Sequence, residues 1–234
     1  SSQVREVPFT YIEQQIITAI DPAGAVDESS LQSAINLYDP LLYPNVEKGT
    51  MEPRPHVAES WAISPDGKTY TFKIRRGVKF HTGREMTAED VVFTMDRVLR
   101  IKRGFFWVWA PVLEPGSAKA VDRYTVRFQL KEAYAPFLGT MLLLFVMDKD
   151  LVMANLRPGP YGEFGDYGAS LLERQDAGSG PYRMEKWERA TEMVMARFDA
   201  YWRGWKPGQI TKVFYKTVLE EATVKTLIIS GQAD

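Results

Sequence analysis

Few side chains in this 234-residue sequence are placed to do bond chemistry. There is no cysteine, which removes thiolate nucleophiles, disulfides and thiolate metal sites together. The two histidines, His56 and His81, stand too far apart to form a local ligand pair, and His81 beside Thr82-Gly83 reads as a turn residue. Gly178-Ser179-Gly180 lacks the lysine of a phosphate loop and the framing of a nucleophile elbow, so it reads as a tight turn before Pro181. Glu220 and Glu221 read as residues of a helix start rather than as an acid–base pair. The segment with binding potential is "GFFWVWAP", which sets Phe105, Phe106, Trp107 and Trp109 close together. Such a run either builds a satellite core or lines a ligand pocket, since pockets are walled mainly by apolar and aromatic groups. If the segment is extended, Phe105, Trp107 and Trp109 share one face.

The elements that must hold this segment follow from patterning. An early strand is expected to end near Ile20, before the Asp21-Pro22 turn. From Ser29, Leu31, Ala34, Ile35, Tyr38 and Leu42 recur at helical spacing, with serine available as the N-cap and Pro40 ending or kinking the helix. "YPNVEKGTMEPRPHV" is rich in proline and charge and reads as an exposed connection. Asp66-Gly67 marks a hairpin between Trp61, Ile63 and the alternating Tyr70, Phe72 and Ile74. Thr87 with Asp90 forms a capping-box variant for a helix that buries Val91, Val92, Met95, Val98 and Leu99. Arg97, Arg100, Lys102 and Arg103 then read as favourable charge at that helix's end, with Gly104 as its stop.

Further on, "DRYTVRFQL" alternates as a strand, and "YAPFLGTMLLLFVM" reads as a short helix and a buried strand. Residues 155–168 form a long loop. "SGPYRMEKWERATEMVMARF" is a strand pair turning near Glu188 to Thr191, followed by a last strand and a helix from Glu220. The composition, 45% hydrophobic and 25% charged, is that of a globular protein. A net charge of -1 gives no reason to expect nucleic acid as a partner. "MLLLFVM" is roughly a third of the ~20 residues a membrane span needs. The opening "SSQVREVPFT" lacks an apolar signal region, so an exported protein would already have lost its signal.

The stretch "VAESWAISPDGKTYTFKIRRGVKFHTGREMTAEDVVFTMDRVL" resembles the signature region of the extracellular solute-binding proteins of family 5, receptors of bacterial ABC importers. The likeness continues through Ile20-Asp21-Pro22, "LYDPLLY" (Asp39 at a usual glutamate), "DRYTVRFQLKEAYAPFL", "GSGPYRMEKW", "FDAYWRGWKPG" and "IISGQAD". It implies an α/β fold: lobe I of a type II periplasmic binding protein, with mixed β-sheets and flanking helices and the second lobe absent from this chain. It further implies a lobe core from residues 1–42 and 172–234, with 43–171 an inserted smaller subdomain.

By the same resemblance, a small solute (peptide, opine, sugar or metal chelate) is captured in an interlobe cleft and delivered to an ABC permease of the inner membrane. The missing C-terminal lobe completes the cleft. No enzyme activity, cofactor or metal is implied, and the location is periplasmic or on the cell surface through a lipid anchor. Three segments are expected to face the cleft: Ala25, Val26 and Asp27 after the turn; Phe105, Phe106, Trp107 and Trp109; and Phe145 with Met147. Two other readings stand beside this one. One is a self-sufficient sugar- or peptide-binding module using the aromatic run, and the other is a hydrolase using Asp and Glu pairs.

Overall fold

A computed structural model describes residues 6–234. The start of the leader reading, residues 1–5, lies outside the described residues. Strands β1 (Pro8–Glu13), β8 (Tyr182–Glu188), β9 (Glu192–Arg197) and β10 (Lys212–Thr217) form a mixed sheet in the order β1-β10-β9-β8. Its one parallel pair, β1 with β10, joins the two ends of the described chain. A second, antiparallel sheet runs β4-β5-β7-β6, from β4 (Ala58–Ile63), β5 (Thr69–Ile74), β6 (Ala118–Asp122) and β7 (Thr125–Gln129). The hairpin alternation holds: Tyr70, Phe72 and Ile74 point inward to meet Val126 and Phe128, while Lys73 stays in water.

Each sheet has its own core. Around β4–β7 gather Phe72, Phe80, Val91, Met95, Val126 and Phe128. Beside the mixed sheet gather Ile20, Leu37, Tyr38, Met193, Met195 and Tyr215, joined by Phe93, Phe145, Met147 and Tyr167. Helix α2 (Ala88–Ile101) serves both. Its 3.6-residue period sends Val91, Met95 and Val98 to the first core and Phe93 to the second, so the helix is buried on two sides. Its start is the expected capping box, with the Thr87 N–H donating to the Asp90 carboxylate at 2.8 Å.

Four expectations about elements are corrected. Strand β1 stops at Glu13, because beyond it the backbone leaves β10: the Thr18 and Ala19 N–H groups donate instead to Ser30 Oγ, at 2.9 and 3.1 Å. Helix α1 (Glu28–Leu37) is capped by Asp27, whose carboxylate accepts the Ser30 N–H at 2.9 Å, and not by serine. The proline-rich connection is a hairpin, β2 (Leu42–Asn45) with β3 (Thr50–Pro55). Pro44 faces Pro53 across it, so residues that lack an N–H mask the strand signal. Phe145 makes an isolated bridge with Pro40, and no full strand forms there.

Gly178-Ser179-Gly180 is a close approach of two backbones. A Cβ at Gly178 would lie 1.8 Å from the Leu37 carbonyl oxygen, and one at Gly180 2.5 Å from that of Asn36. Between the glycines, the buried Ser179 hydroxyl donates to Asp39 at 2.9 Å. The same carboxylate accepts from the Tyr201 hydroxyl and the Trp202 indole, both at 3.1 Å, and pairs with His56 Nε2 at 2.8 Å. Asp39 is 1% exposed, and these four partners satisfy a charge that would otherwise be costly to bury. His81 is likewise more than a turn residue. Its Nδ1 meets the Asp176 carboxylate at 2.5 Å and its Nε2 the Gly180 carbonyl at 3.0 Å, tying the turn after β5 to the approach of β8.

Candidate ligand-binding site

The Asp21-Pro22-Ala23-Gly24 turn is closed by Gly24 N–H donating to the Asp21 carbonyl at 2.7 Å, and by Ala23 N–H donating to the Asp21 carboxylate at 2.9 Å. Arg97 holds that carboxylate in a fork, its two Nη atoms 2.7 and 2.6 Å from the two oxygens. Its Nε donates to the Tyr167 carbonyl at 2.9 Å. Arg97 is therefore not a surface charge at a helix end: its side chain is 1% exposed, against 21% for Asp21. Burial disfavours the guanidinium charge, but the attraction of Asp21 outweighs it and raises the arginine pKa. The helical period carried the signal, since Arg97 falls on the Phe93 side of α2.

The chain leaves α2 through Lys102 in the left-handed region and then Gly104, also left-handed at φ +62°. At Gly104 a Cβ would lie 2.6 Å from the Ala23 carbonyl oxygen, so the aromatic run starts pressed against the Asp21 turn. The run is helical, α3 (Phe106–Trp109), and its rings do not alternate as in a strand. Trp109 is buried and donates its indole N–H to Thr140 Oγ1 at 2.9 Å, whereas Trp107 is 69% exposed. Phe105 and Phe106 are half-buried against the first core.

These parts line one shallow hollow of about 20 Å³. It brings together four of the expected residues, Phe105, Trp109, Phe145 and Met147, along with Pro22, Ala23 and Arg97. The other five lie outside it. Ala25 is 1% exposed in the second core, and Phe106 packs on the first. Asp27 is committed to the α1 cap and to the Thr18 hydroxyl, which donates at 2.6 Å. Burial pushes its pKa up, yet the hydrogen bonds from Thr18 and Ser30 prevail and hold it below the usual carboxylate value. Val26 and Trp107 stand open to solvent. Among the described residues no group of three acidic or histidine side chains is placed to hold a metal ion, and no helix is long and apolar enough to cross a membrane.

The profile of the bacterial extracellular solute-binding proteins, family 5, matches residues 52–234. The chain belongs to that family. Among its family 5 relatives is the dipeptide-binding protein of Escherichia coli K12, 31% identical over 211 residues that make up 82% of this chain and 37% of the relative. A periplasmic binding protein associated with an ABC transporter, DppA of Helicobacter pylori, solved with the peptide STSA, superposes with a TM-score of 0.80 at 27% identity, covering 97% of this chain and 46% of that one. The substrate-binding domain of an oligopeptide ABC transporter from Bacillus anthracis gives a TM-score of 0.81 at 27% identity, covering 99% and 45%. The family 5 chain described here thus has the α/β architecture of one lobe of a type II periplasmic binding protein and spans less than half the length of these relatives. The relatives are ABC-transporter receptors for peptides and related solutes, and family members are transport binding proteins rather than enzymes.

Proposed function

We propose that this lobe is half of a solute receptor for an ABC importer, non-catalytic and working in the periplasm. A second lobe closes over a small solute, and the closed form hands it to an inner-membrane permease. The single observation that carries this reading is the convergence of three segments, far apart in sequence, on one face. The Asp21 turn, the aromatic run and the segment through Phe145 and Met147 all meet at the hollow braced by Arg97. At the hollow the buried Trp109 and Phe145 form an apolar floor, and Trp107 and Val26, outside it, are exposed apolar side chains available to a second lobe or a peptide-like solute. The division into 1–42 with 172–234 and 43–171 accompanies this proposal, supported by the two separate sheets, while Phe93, Phe145, Met147 and Tyr167 of the inserted part lock into the core beside the mixed sheet.

Capture by closure requires contacts made only in the closed state, because a ligand shifts a population only through differential affinity. The isolated lobe is therefore expected to bind solute weakly, and the two-lobed protein tightly. Mass spectrometry of what co-purifies with the two-lobed protein identifies the solute. Calorimetry then compares that protein with its Trp107→Ala variant and with this lobe alone. Sub-micromolar binding by the lobe alone would refute hinged capture. Unchanged affinity in Trp107→Ala would remove the aromatic run from the site.

A further inference from the structure

A second recognition surface lies away from the hollow just described. Two open hollows, of about 550 and 410 Å³, share Tyr43, His56 and Arg203 as a common wall and so form one groove. The groove carries four cations, Arg54, Arg75, Arg203 and Lys206, and among the described residues none of them is in an ion pair. Two guanidiniums crowd one indole: Arg75 lies 4.9 Å and Arg203 5.9 Å from the Trp202 ring centre.

The carboxylates at hand do not neutralise these cations. Asp39 is sealed beneath by its four partners, and Glu52, which feels the Arg54 charge, is engaged by Asn45 and Lys48. Glu47, at the outer end, is the one other acid in the lining. Like charges gathered over half-buried rings, Tyr43, Trp202 and Trp205, without an ion-pair partner, favour an anion that also offers flat or apolar surface.

We propose that this groove docks an acidic, aromatic-containing segment of a protein partner. The hollows are open and follow one another along the surface, whereas a small ligand is held in a cleft that buries most of it. An extended segment laid across arginines is the matching mode of recognition. The groove shares no lining residue with the proposed solute hollow, so either reading can fail without the other.

The test is fluorescence anisotropy of a labelled peptide of alternating Glu and Tyr, titrated with the chain at low and moderate salt. Arg203 and Lys206 are exposed and their side chains make no hydrogen bond among those described, so Arg203→Glu with Lys206→Glu is expected to fold normally and to bind roughly tenfold more weakly. A Gln-Tyr peptide is expected to lose at least as much, and added salt to weaken the Glu-Tyr complex. Three results overturn the proposal: no binding of the Glu-Tyr peptide, equal binding of the Gln-Tyr peptide, or an equal loss when Lys119→Glu and Arg127→Glu reverse charge on the other sheet. Competition by citrate at concentrations matching the peptide would also overturn it, because that marks a site for small anions.

Discussion

The Asp21–Arg97 pair sets up an asymmetric test. Both partners are removed from water, but unequally: 1% of the arginine side chain is exposed against 21% of the aspartate. Asp21→Asn keeps the volume and strands a guanidinium that retains the Tyr167 carbonyl as its oxygen acceptor. Breaking a buried pair in this way costs about 3–5 kcal/mol. Arg97→Met removes the more deeply buried charge and leaves a carboxylate that can reach water and still accepts the Ala23 N–H. The cost there is about 1–3 kcal/mol, for lost charge-assisted hydrogen bonds. The double variant, with no charge left to strand, should be more stable than Asp21→Asn alone. Urea unfolding of the four proteins gives the three differences and the coupling energy. Additive effects, or an Asp21→Asn cost below about 1 kcal/mol, would show that the arginine is solvated and that this pair does not hold the turn.

Trp109→Ala should destabilise the lobe by about 3–5 kcal/mol, whereas Trp107→Ala should stay within about 0.5 kcal/mol, by chemical denaturation; equal costs would contradict the burial difference between the rings. Gly178→Ala places a methyl against the Leu37 carbonyl and should lower stability by about 3 kcal/mol; a neutral result would mean the two backbones separate freely. Burial alone would lower the pKa of His81, but the Asp176 carboxylate overrides it and raises it, and both ring nitrogens face acceptors as an imidazolium requires. Its contribution is therefore complete below the unfolded value of about 6.5 and fades as pH rises through the raised folded value. Melting temperature should fall across that range more in the parent protein than in His81→Gln, and parallel profiles would refute the assignment.

What could be read in the chain was whatever local chemistry enforces. Asp66-Gly67 and the alternation after it specify a hairpin, and Thr87 with Asp90 specifies a helix start, without help from distant residues. The β2–β3 hairpin escaped because prolines occupy facing positions, and its pairing depends on tertiary context rather than propensity. The site was legible as segments and not as an assembly. Phe105, Trp109, Phe145 and Met147 share a hollow, but Arg97, which positions the turn, looked like a solvent-facing cap charge. Asp27 looked free for a ligand until Thr18 and Ser30 claimed it. For Arg97 the helical period told of burial but not of Asp21, 76 residues away. For Asp27 the cap spacing to Ser30 was local, but the Thr18 hydroxyl that closes the carboxylate comes from the segment before the turn.

The double-sided burial of α2 has a mechanical consequence. A helix wedged between two cores, with Gly104 seated on the Ala23 carbonyl just past its end, cannot tilt to suit a guest without disturbing both sheets. The face it supports acts as an anvil rather than a jaw. On the receptor reading, stiffness on this side leaves accommodation of different solutes to side-chain rotations at Trp107 and Val26, to trapped water, and to the opposing lobe. The solute then meets a surface already in its final shape, and the conformational entropy spent on binding falls on the swing of the hinge.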